Sequence, residues 1–176
     1  MRILNGYFYF YNNTGMINYE IRAINIEEEY LEAELLLDAL HQSEKKLNDK
    51  TADWQTINKD YMQHIIECQK ENFGIFLLAI INKKAVGFIF GYIEENDNSN
   101  FELGEGDDLY VSEGYVMPEY RRLGIYAALN KQFENSYLNF NVRRIVRYTL
   151  SANTNMQAWL SKQGYSNVRL VYEKWL

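Results

Sequence analysis

A chain that leaves a β-strand for an α-helix must change its hydrogen-bonding pattern within a few residues, and the segment Val116-Met117-Pro118-Glu119-Tyr120-Arg121-Arg122-Leu123-Gly124-Ile125-Tyr126 is built to do so. The run from about Leu109 to Met117 has the aromatic and branched residues of a strand. Pro118, the only proline in the chain, stops it because proline cannot donate to a ladder. Beyond Gly124, the residues Ile125, Ala128, Leu129 and Phe133 recur at helical spacing. A strand feeding such a helix predicts a mixed α/β fold, here a twisted central sheet with helices on both faces.

A helix start also carries N–H groups without intrahelical partners, together with the positive end of the helix dipole. The backbone amides of Arg121, Arg122, Leu123, Gly124, Ile125 and Tyr126 can therefore surround a pyrophosphate, with the two arginines adding charge. Alternatively, Gly124 only permits a tight entry into a surface helix and the arginines are solvated. Residue type and spacing alone leave both open.

The remaining pattern supports the same class. Two strands are expected at Arg2 to Tyr11 and Ile17 to Ala23, around the turn Asn12-Asn13-Thr14-Gly15. Asn25 is placed to cap a helix running to about Glu44, with Leu31, Leu35, Leu36, Ala39 and Leu40 as its core face. A second helix follows from about Ala52 to Lys70, and the pair can wall a cleft. A hairpin, Ile75 to Ile81 and Val86 to Ile93, turns at Asn82-Lys83-Lys84. The acidic stretch Glu94 to Asp108 reads as a long loop with a strand extension near Phe101, and its lone Gly104-Glu105-Gly106 lacks the third glycine of a dinucleotide fingerprint. A strand from Ile145 to Leu150, a helix from Asn155 to Gln163 and terminal strands complete the chain.

The 176 residues suit one domain, 1–176, with 1–15 as an N-terminal extension strand, and 47% hydrophobic content excludes a disordered chain. A net charge of −6 argues against nucleic acid or an anionic membrane as partner and fits a cationic or amine-bearing substrate better. Cys68 is the only cysteine, which excludes an internal disulfide and suits a reducing, cytoplasmic compartment. His64 shares its helix face, but two ligands do not hold zinc, and no metal is expected. Neither a signal peptide at Arg2 to Tyr11 nor a membrane span at Phe73 to Ile81 is expected. A homodimer is left open.

The segment ending in Arg121-Arg122-Leu123-Gly124-Ile125-Tyr126 resembles the pyrophosphate motif of the GNAT superfamily of N-acetyltransferases, Gln/Arg-x-x-Gly-x-Gly/Ala after a strand ending in Val-x-Pro. Ser151-Ala152-Asn153, the helix containing Ala158, and Lys162-Gln163-Gly164-Tyr165 resemble that family's second signature. The likeness runs from Ile17 through Ala85-Val86-Gly87-Phe88 to the terminus. It implies an acetyl-CoA site between two parallel strands that splay at a β-bulge. Val116 and Met117 are then the edge that pairs with the pantetheine arm, with an amide near Met117 polarising the thioester carbonyl. Arg121 to Tyr126 hold the pyrophosphate, and Asn153 lies near the pantetheine. Two positions depart from the family pattern: Tyr126 replaces a small residue, and Leu160 stands where many members carry a tyrosine general acid. The Tyr126 ring is expected to turn outward, since the ligand needs only the backbone N–H.

Direct transfer of an acetyl group to a primary amine needs a base more than an acid. Protonating a thiolate at pH 7 involves about 2 kcal/mol, whereas deprotonating an alkyl ammonium costs roughly 4 to 5 kcal/mol. Water or Tyr126 can serve the thiolate. Glu113, on the strand leading to the bulge, is the candidate base; otherwise it is a solvent-facing or ion-paired glutamate. Ser112, Tyr110 and Tyr115 are placed to orient a water. Glu94, Glu95, Asp97, Glu105, Asp107 and Asp108 either draw a cationic amine inward or are simply solvated. Trp54, Tyr61 and Trp159 either line the acceptor pocket or, at helical spacing, are core, and receive no catalytic role. The acceptor is left as a polyamine, an aminosugar, an amino acid or a peptide N-terminus. A non-catalytic acyl-CoA sensor, or an interaction domain that has lost the cofactor, are the competing functions.

Overall fold

The computed structural model describes residues 6–12, 15–96 and 104–176, with side chains from Asn18 onward outside the gap. Its strands are β1 (Gly6–Asn12), β2 (Gly15–Ile24), β3 (Ile75–Ile81), β4 (Lys84–Glu94), β5 (Asp107–Val116) and β6 (Val142–Arg147). They lie side by side in chain order in one sheet. The pairs from β1 to β5 are antiparallel, and β6 joins β5 in parallel. A parallel neighbour requires a crossover, which helix α3 (Ile125–Ser136) supplies. The other helices are α1 (Tyr30–Lys45), α2 (Trp54–Glu71) and α4 (Thr154–Lys162). Among the described residues no helix is long and apolar enough to cross a membrane.

The sheet is covered on two faces, which explains why β3 reads as a nearly continuous apolar run. Leu77, Ala79 and Ile81 pack with Ile125, Leu129 and Phe133 of α3. Phe76 and Leu78 turn the other way, toward Leu36, Leu37, Met62 and Ile65 of α1 and α2. Asn82 and Lys83 both have positive φ, 49° and 65°, as a two-residue hairpin turn between β3 and β4 demands.

The decisive irregularity is in β5. Phe90 pairs with Glu113 and Tyr92 with Tyr110, so β5 spends three residues where β4 spends two. This one-residue bulge inverts the alternation of side chains. Before it, Leu109 and Val111 belong to the α3 side; after it, Val116 does, while the odd-numbered Tyr115 lies on the α1/α2 side. Pairing with β6 also stops there, at Val111 opposite Arg147. Beyond the bulge β5 has a neighbour on one edge only.

Several sequence expectations shift. Leu31 and Leu35 are 69% exposed, and the buried stripe of α1 is Ala33, Leu36, Leu37, Leu40 and His41. Leu31 and Leu35 lie on the row that continues into Asp38 and Gln42, whose side chains hydrogen-bond to each other in solvent. Asn25 caps a turn instead of the helix proper: its Oδ1 accepts the Glu27 N–H at 3.0 Å, and α1 begins at Tyr30. β6 starts and ends three residues earlier than expected. Residues 165–176 form no strand and pair with no edge of the sheet, and Val168, Leu170, Tyr172 and Trp175 are exposed. Residues 1–5, Asp97 and the extension near Phe101 lie outside the described residues.

Phe88 is fully buried and stacks on Phe76 at 4.8 Å and 7°. Phe88→Ala is expected to lower unfolding stability by about 3–5 kcal/mol, against less than about 0.5 kcal/mol for Leu31→Ala, as measured by urea denaturation.

Candidate active site

Because of the bulge, Glu113 points to the α1/α2 face, where the Tyr61 hydroxyl of α2 donates a hydrogen bond to its Oε1. Ser112 Oγ is 3.5 Å from the same oxygen. Leu37, Leu40, His41 and Glu44 occupy one face of α1, Trp54 and Tyr61 lie two turns apart on α2, and together with Glu113 they enclose a cavity of about 100 Å³. Burial pushes the Glu113 carboxyl up to about 7, helped by the nearby Glu44 and opposed by hydrogen bonds from Tyr61 and Ser112. Burial alone raises Glu44. The Tyr61 hydroxyl is raised by burial and by the Glu113 charge, so it remains a donor. His41 is 9% exposed, neither ring nitrogen has a hydrogen-bond partner, and burial lowers its pKa, which keeps the ring neutral.

The second component is the entry to α3. Gly124 is its N-cap residue in the left-handed conformation, φ 74°, with no side chain capping the helix. Arg122 is also left-handed, φ 64°. The regular helical bonds begin with Ala128 N–H to Gly124 O at 3.0 Å, so the first-turn amides of Ile125 and Tyr126 face outward along the axis. Successive N–H groups in this geometry form a concavity that suits an anion. Arg122 is exposed beside it, whereas Arg121 is engaged: its Nε donates to Val116 O at 2.9 Å, and its guanidinium lies 5.4 Å from the Tyr115 ring centre. The Leu123 and Ile125 side chains pack into the α3-side core and leave only their backbone for a ligand.

The strand edge differs from expectation at Met117. Its N–H donates to Val86 O at 2.9 Å, so it points into the sheet and cannot polarise a carbonyl on the open side. In an antiparallel pair the backbone groups of alternate residues face opposite edges, which turns Gly114 and Val116 toward the open side. Tyr126 also differs: its ring turns inward, not outward. The hydroxyl accepts from Arg147 Nη1 at 2.9 Å, the ring meets Trp159 edge-on at 4.9 Å, and a Cβ at Gly114 would stand 2.6 Å from the Tyr126 hydroxyl oxygen. The side chain thus lies beneath β5 and leaves the amide array clear.

A family description, "Acetyltransferase (GNAT) family", matches residues 36–165, a span that holds the cavity, the bulge and the α3 entry. The chain belongs to the GNAT acetyltransferase family. No curated protein matches it in sequence. Solved GNAT-like folds do match in shape. The BH1408 protein from Bacillus halodurans superposes with a TM-score of 0.73 at 17% identity, covering 89% of this chain and 98% of that one. A possible acetyltransferase from Clostridium difficile 630 gives 0.64 at 22% identity, covering 90% and 97%. AAC(6')-Iy in complex with the bisubstrate analogue CoA-S-monomethyl-acetylneamine gives 0.65 at 17% identity, covering 90% and 98%.

Within this GNAT chain the remaining site residues fall as follows. Asn153 is the N-cap of α4, its Oδ1 accepting the Met156 N–H at 3.2 Å. Leu160 is half-buried on the same helix. Asp108 of the acidic stretch is bound by Arg143 and Arg144 at 2.8 and 2.6 Å, and Asp107 accepts the Asn96 N–H. Cys68 Sγ lies 3.6 Å from His64 Nε2, and no group of three or more His, Cys, Asp or Glu that could hold a metal occurs among the described residues. Sequence reasoning missed Arg147, which also bonds Tyr165 and Asn130 and so ties β6 to α3 and the α4 exit. It missed His41 and Glu44 as well, although both stand on the apolar stripe of α1, where a polar residue is a signal.

A carboxyl held near 7 in the fold but ionised at ordinary pH in the unfolded chain costs stability that appears as pH rises from the unfolded value through about 7. Glu113→Gln removes that cost. Its Tm advantage over the parent protein is expected to grow by roughly 4–8 °C between pH 5 and pH 8, the equivalent of about 2 kcal/mol. Thermal melts at the two pH values check this; a gap that does not widen shows that Glu113 is ordinarily ionised.

Proposed function

We propose that the protein is an acetyl-CoA-dependent N-acetyltransferase that acetylates a primary amine of a small molecule or peptide by direct attack, with Glu113 as general base. The observation that carries this is the Glu113 carboxyl, raised to about 7, at the wall of a cavity and one residue from the open edge of β5. AAC(6')-Iy, described as an aminoglycoside N-acetyltransferase, shares the fold and supports an amine acceptor.

Acetyl-CoA, when bound, supplies a thioester carbonyl as the electrophile. The amides of Arg122 to Tyr126 hold its pyrophosphate, Gly114 and Val116 offer backbone groups to its amide-bearing arm, and the Val116 N–H replaces Met117 as the polarising donor. Asn153 contributes at the far side through α4. Glu113 accepts the ammonium proton directly or through one water, with Tyr61 fixing the carboxylate. The nitrogen–carbon bond forms as the carbon–sulfur bond breaks, and the departing thiolate takes its proton from water or Tyr126. The inward Tyr126 ring favours this reading over a domain that has lost its cofactor, because a ring laid over the amide array would block it, and this one does not.

Calorimetric titration with acetyl-CoA is expected to show binding near or below the micromolar range, and Gly124→Glu, which puts a carboxylate on a left-handed residue of the array, is expected to abolish it. No binding by the parent protein sinks the transferase reading. Only ionised Glu113 accepts a proton, so kcat/KM should rise with pH to a plateau above about 7. Glu113→Gln should lower kcat by about 10²- to 10⁴-fold with acetyl-CoA affinity unchanged. Equal turnover in the two proteins removes Glu113 from the base role.

A further inference from the structure

We infer that the cavity between α1, α2 and β5 is a site for a linear aliphatic diamine, with one ammonium at Glu113 and the second between Glu44 and His41. This deepens the transferase reading and rests on it for the identity of the reacting end. Three independent features point to that ligand. The first is charge. Glu113 and Glu44 both line the cavity and both are desolvated, and no lysine or arginine among the described residues neutralises either. A monocation leaves one desolvated, half-buried carboxylate uncompensated, whereas a dication matches both.

The second is the orphaned imidazole. His41 is nine-tenths buried with both ring nitrogens unpartnered, and it lines the same cavity as Glu44, one helical turn away on α1. A buried polar group without a partner costs about 1–3 kcal/mol, which an N–H donor from a ligand relieves. A neutral ring with an open lone pair accepts from an ammonium, so Glu44 and His41 together make a two-sided acceptor for the second charge.

The third is the lining, which sets apolar walls between the acidic groups. Leu37 and Leu40 give the methylenes an apolar wall. Trp54 and Tyr61, edge to face at 5.9 Å, offer π-density to the cationic ends.

Calorimetry on the full chain, without acetyl-CoA, tests this with three probes: 1,4-diaminobutane, n-butylamine and 1,3-cyclohexanediamine. The expected result is at least tenfold tighter binding of 1,4-diaminobutane than of n-butylamine, with no preference for the cyclic diamine. Glu44→Gln should reduce the diamine-to-monoamine ratio to about threefold or less, and His41→Phe, which keeps a ring in the same space, should reduce it in the same direction. Equal affinity for the diamine and the monoamine, preference for the cyclic diamine, no binding of the linear diamine, or a ratio unchanged in both variants each overturns the assignment. Coenzyme A release then separates the two claims. Selective diamine binding with no release on adding acetyl-CoA sinks the transferase reading and leaves the diamine site. Release with equal kcat/KM for 1,4-diaminobutane and n-butylamine sinks the diamine site and leaves the transferase.

Discussion

One surplus residue in β5 determines which face of the sheet Glu113 meets and where β5 loses β6 as a neighbour. A strand alternates strictly, so without the extra residue between Tyr110 and Glu113 the Glu113 side chain would share a face with Leu109 and Val111, under α3. With it, the carboxyl lies under α1 and α2, and the same irregularity ends the pairing with β6. An open backbone edge and a re-aimed carboxylate therefore arise from a single local event. The parallel geometry of β5 and β6 widens the consequence, because α3 has to start at the end of β5, which brings its uncapped amides to the mouth of the gap.

The protein treats its desolvated acids in two ways. Burial pushes Asp108 up, but hydrogen bonds from Arg144 and Arg143 outweigh it and hold the carboxyl below its usual range. That site is settled within the fold and pins β6 to β5. Glu113 and Glu44 have no such cations, and their carboxyls stay raised. Structural charge is neutralised in place at Asp108, while no lysine or arginine among the described residues neutralises the two carboxyls at the cavity. Tyr61 is the intermediate case: its hydroxyl orients Glu113 without removing the charge.

The legible parts of the sequence are those where a residue type has one physical meaning. Pro118 and Gly124 mark the strand end and the helix entry, and both stand where the pattern put them. Glu113 was identifiable as a candidate from its place on the strand, but its partner was not, because Tyr61 lies 52 residues away on a stripe that reads as core. The bulge has no signature in Tyr110-Val111-Ser112-Glu113 and entered only through family likeness. Helix faces were blurred in α1, where leucines sit on two adjacent rows and only packing chooses between them. The strand expected after Gly164 shows the same limit: alternation describes a segment's capacity, whereas a ladder needs a neighbour.

Gly114 and Tyr126 form a pair with few joint solutions. The missing side chain on β5 is the space that the α3 phenol fills, and any Cβ at position 114 collides with that ring. Enlarging the first position or emptying the second leaves the other unsuited to its surroundings, so change at either site is strongly epistatic. A smaller side chain at position 126 would leave that space unfilled, so the fit of the joint between α3 and β5 is set by the two positions together.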